Sequence, residues 1–329
     1  MKKSLKVIAL ILCIAAVLGA LSACSLDIIT DTDTEPNTVT YVYGNGEKDR
    51  TVTVAANGKH TEPLKPTRTN YIFDGWYAEN SDEEYVFGNK LRYDLTLYAK
   101  WIPDYEKITN SVTTTYMKAN VKVSTAYYVS NMFGQRVPTG EGATGSGVIF
   151  LEASGYYYAL TNYHVTDFPA DAVGATYKTY DVYGNEHEAE LLFSDAEYDL
   201  AVLRFKVAEQ ELCVLPLDKT VPEKGEKVIA IGQPKGQFNS LTYGEVYDYS
   251  EIASKTDDEE LTRVTFEVIW HTAFLNNGSS GGGLLDFDMQ LIGVNFASSV
   301  DGDNEFKYGF AIPAVRVLEF LKKCGFTYS

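Results

Sequence analysis

Three residues far apart in the sequence, His164, Asp199 and Ser280, carry the side chains that nucleophilic acyl transfer requires. Ser280 lies in Asn276–Leu285, where four glycines and two serines separate apolar runs. Glycine at that density lets the backbone take conformations closed to other residues and approach a ligand closely. A serine hydroxyl is a weak nucleophile until a base removes its proton, and imidazole titrates in the useful range. A carboxylate such as Asp199 would fix the imidazole tautomer and stabilise the imidazolium as it forms. Backbone N–H groups beside the serine would face the developing oxyanion, each worth about 3 kcal/mol in the transition state.

Such residues act only if strands bring them together. The apolar run Tyr156–Leu160 reads as a strand leading into His164, and Asp199 opens a second strand, Leu200–Phe205. Leu291–Phe296 reads as a strand following the glycine-rich stretch. The chain order His, Asp, Ser is that of chymotrypsin-type double-barrel proteases and differs from that of α/β-hydrolases. The surrounding motifs extend the resemblance. They are Gly145–Phe150, Thr161–Val165 around the histidine, Asp199–Leu203, Ala230–Pro234 and Tyr308–Pro313. With the glycine-serine stretch they make residues from about Asn120 to Phe326 resemble the HtrA/Deg branch of trypsin-like serine proteases.

That resemblance implies a mainly β fold with a chymotrypsin-like double β-barrel, and a serine endopeptidase activity that needs no cofactor. Carried over by residue, it makes Ser280 the nucleophile, His164 the general base and Asp199 the residue that orients it. The N–H groups of Gly278 and Ser280 would form the oxyanion hole. Ser279 is the rival nucleophile, but the G-x-S-G-G pattern fits only Ser280. Two positions depart from the family: Ser279 stands where Asn or Asp is usual, and Gly283 where Pro is usual. Both changes remove local rigidity. They keep a second reading open, a catalytically inactive protease fold acting as a binding or adhesion module.

The same alignment puts Phe274 and Leu275 on one wall of the substrate pocket and Phe296, Ala297 and Ser298 on the other. No aspartate stands at the pocket base, so a small or medium apolar side chain is expected there. His271, beside Trp270, reads as a structural or rim residue. His60 and His187 sit among turn-type residues and read as solvated. No clustered Cys/His set suggests a metal, and the acidic turn Asp301–Asn304 reads as a solvated hairpin loop.

The chain of 329 residues is long enough for more than one domain. Lys2, Lys3 and Lys6 precede an apolar run, Val7–Ala20, too short to span a bilayer and typical of a signal peptide. Leu21–Cys24 resembles a bacterial lipobox, which implies lipid on Cys24 and a membrane anchor. Cys213 and Cys324 then remain for the mature fold, as a pair or as two thiols. The net charge of −17, more negative once three signal lysines leave, argues against nucleic acid.

The expected segments are a signal peptide (1–23), an acidic tether (24–37), a small module (38–102), a linker (103–118) and the protease-like domain (119–329). In the module, apolar residues alternate in Thr38–Tyr43 and Leu95–Ala99, as in half-buried strands. Pro66–Tyr77 and Leu95–Trp101 resemble signatures of the internalin-type B-repeat, a small β-grasp-like module of bacterial surface proteins. Trp76, Tyr77 and Trp101 read as its core. The resemblances together imply an extracytoplasmic, lipid-anchored protein at the bacterial cell surface. It would act on polypeptides in quality control or surface-protein processing, with a cell-wall or surface partner for residues 38–102. Pro313–Phe326 reads as a terminal helix. Sixteen residues follow Pro313, so no PDZ domain of the kind many HtrA relatives carry is expected.

Overall fold

The computed structural model describes residues 35–234, 239–252 and 263–327. The signal peptide and Cys24 lie outside the described residues. Two compact units are present. One comprises the chain up to Arg68 with Phe73–Ile102, the other Thr69–Ile72 with the chain from Pro103 onward.

The first unit is a four-stranded sheet in the order β2-β1-β4-β3. Its strands are β1 (Asn37–Val42), β2 (Arg50–Val54), β3 (Tyr71–Ala78) and β4 (Leu95–Pro103). β1 runs parallel to β4, with Tyr41 opposite Leu97. Alternation sorts the faces: Val39, Tyr41, Trp76 and Leu97 are buried, whereas Thr38 and Thr40 are not. Trp101, half-buried, donates its indole N–H to the Tyr43 carbonyl at 2.8 Å.

His60 corrects a sequence expectation. It is buried, its Nε2 2.5 Å from the Tyr41 hydroxyl and its Nδ1 3.3 Å from that of Tyr85. The turn residues around it return the chain to the core, where two phenols replace solvent. His187 is likewise not solvated: its side chain is 10 % exposed and pairs with buried Asp181 at 3.0 Å.

The second unit holds two closed six-stranded barrels, ordered β10-β7-β6-β5-β8-β9 and β11-β12-β13-β16-β15-β14, a chymotrypsin-like double β-barrel. The first uses β5 (Asn120–Ser130), β6 (Arg136–Ala153), β7 (Tyr156–Thr161), β8 (Gly174–Tyr180), β9 (Glu186–Asp195) and β10 (Leu200–Phe205). The second uses β11 (Lys227–Gly232), β12 (Ser240–Ser250), β13 (Val268–His271), β14 (Gly283–Asp286), β15 (Leu291–Val300) and β16 (Phe306–Pro313). Every residue of β10 except Arg204 is buried, which explains why Leu200–Phe205 reads as one apolar run.

Much of the segment expected as a linker is helical. Tyr105–Thr114 is capped by the Asp104 carboxylate, which accepts from the Lys107 N–H, and it buries Ile108 and Val112 in the barrel core. The terminal helix Ala314–Lys323 buries Ala314, Val317, Phe320 and Leu321. Asp301–Asn304 closes the β15–β16 hairpin, with the Asp301 carboxylate accepting N–H groups of Asp303 and Glu305. Cys213 and Cys324 are free thiols, and burial raises both pKa values. No helix among the described residues is long and apolar enough to cross a membrane.

Candidate active site

β7 ends at Thr161, and a single helical turn, Tyr163–Thr166, carries His164. The turn between β9 and β10 delivers Asp199, 1 % exposed and in the left-handed region at φ 48°. Aspartate tolerates that conformation better than most residues. Asn162 donates its side-chain amide to the Asp199 carbonyl at 2.9 Å, tying the two corners together. The Asp199 carboxylate lies 2.8 and 3.0 Å from His164 Nδ1 and also accepts the His164 backbone N–H at 3.0 Å. With Nδ1 committed to a carboxylate, the hydrogen sits on that nitrogen and Nε2 is left as the basic one.

Ser280 belongs to the loop between β13 and β14. It shares a cavity of about 210 Å³ with His164, Leu275, Phe296, Ala297 and Ser298. Its hydroxyl donates to the Phe296 carbonyl at 3.2 Å. A hydroxyl changes such a partner by rotation between staggered χ1 wells, and resting sites often hold their catalytic hydrogen bonds loosely. Phe274, expected on the pocket wall, does not line this cavity. Ala273 and Leu275 are buried, and alternation turns Phe274 outward, 46 % exposed against the Phe306 ring.

The loop's own hydrogen bonds assign its amides. The N–H of Ser279 donates to Asn276, that of Gly281 to Asn295 and that of Gly282 to Ser279. Those of Gly278 and Ser280 engage no backbone carbonyl among the described residues. Ser279 is 5 % exposed, and its hydroxyl accepts the Asn276 N–H at 3.1 Å, closing the turn from within. Gly281 has φ +87°, and a Cβ there would lie 2.0 Å from the Ser146 carbonyl oxygen. One at Gly282 would lie 2.3 Å from that of Ile231. Both positions therefore require glycine.

Two polar residues outside the expected set hold this loop. Ser146, fully buried on β6, donates its hydroxyl to the Gly278 carbonyl at 2.7 Å and accepts the Gln233 N–H at 2.8 Å. Its own N–H donates to the Ser280 carbonyl at 2.7 Å. Asn295 on β15 exchanges backbone bonds with Gly281 and Gly282 and donates its amide to the Gly283 carbonyl at 3.1 Å. That orientation turns its Oδ1 to His271 Nε2 at 3.1 Å, so Nε2 carries the hydrogen. His271 is structural, wholly buried, and burial pushes its pKa down to about 4.

A double barrel with a histidine–aspartate pair and a serine around one groove is the architecture of trypsin-type serine peptidases. Residues 145–294 match the trypsin-like peptidase domain, and residues 38–100 the Listeria-Bacteroides repeat domain. The chain thus carries a trypsin-like peptidase domain related to the HtrA and DegP proteases. It is 35 % identical over 176 residues to the serine protease Do-like HtrA of Bacillus subtilis, covering 53 % of this chain and 37 % of that protein. It is 30 % identical over 247 residues to a probable periplasmic serine endoprotease, DegP-like, of Buchnera aphidicola, covering 72 % of this chain and 50 % of that one. The chain spans half or less of the length of these two relatives. A solved HtrA-type protease, AlgW with a decapeptide, superposes with a TM-score of 0.50 at 28 % identity, covering 67 % of this chain and 68 % of its own.

Proposed function

We propose that the chain is a serine endopeptidase that cleaves polypeptides through an acyl-enzyme. Ser280 Oγ attacks the scissile carbonyl carbon and passes its proton to His164 Nε2. The N–H groups of Gly278 and Ser280 receive the oxyanion. The departing amine takes the proton from His164, and water then hydrolyses the ester by the same route in reverse. Asp199 holds the imidazole tautomer throughout. The observation that carries this reading is the pairing of His164 Nδ1 with both oxygens of buried Asp199, His164 itself lining the same cavity as Ser280.

Lipid on Cys24 would anchor this enzyme to the bacterial membrane outside the cytoplasm, where the repeat domain meets a surface partner. The likeness to a probable periplasmic endoprotease of Buchnera supports an extracytoplasmic site. Protein quality control and surface-protein processing both fit an open groove. The test is digestion of a chemically unfolded polypeptide by the full chain and by Ser280→Ala and His164→Ala. Cleavage should fall by a factor of about 10³ or more in each variant. Equal cleavage by Ser280→Ala would remove the assignment.

A further inference from the structure

Among the described residues, the groove that holds Ser280 and His164 is lined by no aspartate or glutamate. The one permanently charged lining residue among those described is Arg263. Arg263 also lines a second cavity, of about 630 Å³, with Glu197, Tyr198, Phe266 and Arg316. Arg263 therefore borders both cavities.

The neighbouring cation is engaged elsewhere. Arg316 pairs with Glu319 at 2.8 Å and sits 5.2 Å over the Phe266 ring. Glu197, the one carboxylate among the described residues lining the second cavity, adds to the raising of the Lys323 pKa after Asp195, the larger cause. Arg263 has no ion pair among the described residues and is half-buried. A guanidinium presents a planar fork of donors that matches a carboxylate, and partial burial strengthens the pairing relative to open water. A neutral or basic side chain would leave that fork unpaired or repel it.

Resting on the peptidase reading above, we propose that Arg263 is a specificity residue selecting polypeptide segments with an acidic side chain close to the scissile bond. The overall negative charge repels such segments at long range, so the selection is a short-range one made at the groove.

The experiment uses the full chain and a fluorogenic peptide library. Its members differ by Glu, Gln or Lys at one position at a time on either side of the scissile bond. The wild type should favour Glu over Gln by about tenfold in kcat/KM at one position or more, in keeping with a hydrogen bond to a charged group. Arg263→Ala should erase that ratio, and Arg263→Glu should turn it toward Lys. Equal turnover of Glu and Gln by the wild type, a wild-type preference for Lys, or a Glu preference that survives Arg263→Ala would each overturn the proposal. Fluorophosphonate labelling of the wild type separates the two levels. A labelled enzyme without the ratio loses only the specificity, whereas an unlabelled and inactive one loses the peptidase reading as well.

Discussion

The Ser146 hydroxyl donates to the Gly278 carbonyl at 2.7 Å, and through that bond the first barrel grips the loop that carries Ser280 in the second. The same hydroxyl accepts the Gln233 N–H at 2.8 Å. Ser146→Ala strips a partner from one buried and one half-buried backbone group, at a cost of about 2 kcal/mol. The Gly278 amide should also lose its aim at the oxyanion. A drop in kcat of roughly tenfold to a hundredfold with little change in KM is expected. Steady-state kinetics beside thermal unfolding would show it, and an unchanged kcat would mean that the loop holds itself.

Ser279 supplies from its own hydroxyl the bond that closes the Asn276–Ser279 turn. Ser279→Ala should therefore cost about 1 kcal/mol of stability and leave measurable activity. Ser279→Asn, restoring a polar side chain usual at this position, should recover the loss. A Ser279→Ala enzyme as inactive as Ser280→Ala would show that Ser279 does more than close the turn.

Much of this was legible in the sequence, for physical reasons that can be named. The barrels announce themselves because buried strands such as Leu200–Phe205 must be apolar throughout. His164, Asp199 and Ser280 stand out because each is a polar residue at the edge of such a run. Ser146 and Asn295 carry no comparable signal, since a serine or asparagine in a strand reads as an ordinary polar residue until its cross-chain partners are seen. His60 misleads because turn residues on either side suggest solvent, whereas Tyr41 and Tyr85 enclose it. Phe274 misleads because alignment gives its place in the chain but not the face to which alternation turns it. Arg263 follows the acidic run Asp257–Glu260 in the sequence, and only its place beside both cavities singles it out.

Gly281 lets the nucleophile loop pass under the Ser146 carbonyl at φ +87°. Gly281→Ala would combine that strained conformation with a contact of 2.0 Å to a backbone oxygen. A destabilisation of about 3 kcal/mol or more is expected, with loss of activity at temperatures where the fold persists. Denaturant unfolding checks the first part. Wild-type stability in the variant would mean that the loop has another path.

Asp286 gives the fold a pH dependence. Burial, with Asp288, Asp218 and Glu226 adding to it, pushes its carboxyl up to about 7 against the lowering bond from the Gln290 N–H. The unfolded chain releases that proton near the ordinary carboxylate value, so between about pH 4 and 7 the folded state binds more protons. Stability from this group is accordingly greatest below pH 4, falls as pH rises to 7 and is level above it. Asp286→Asn removes the fall. The variant should match the wild type below about pH 4, and its lead should widen by on the order of 2 kcal/mol between pH 5 and pH 8, a change that urea unfolding at the two pH values resolves.

The central claim is that Ser280 is an activated nucleophile. The most direct test is fluorophosphonate labelling of the lipid-free chain, Ser25–Ser329, beside Ser279→Ala and Ser280→Ala. The account predicts labelling of the wild type and of Ser279→Ala, and none of Ser280→Ala. A well-folded wild type that takes no label, or a Ser280→Ala protein that does, would contradict it.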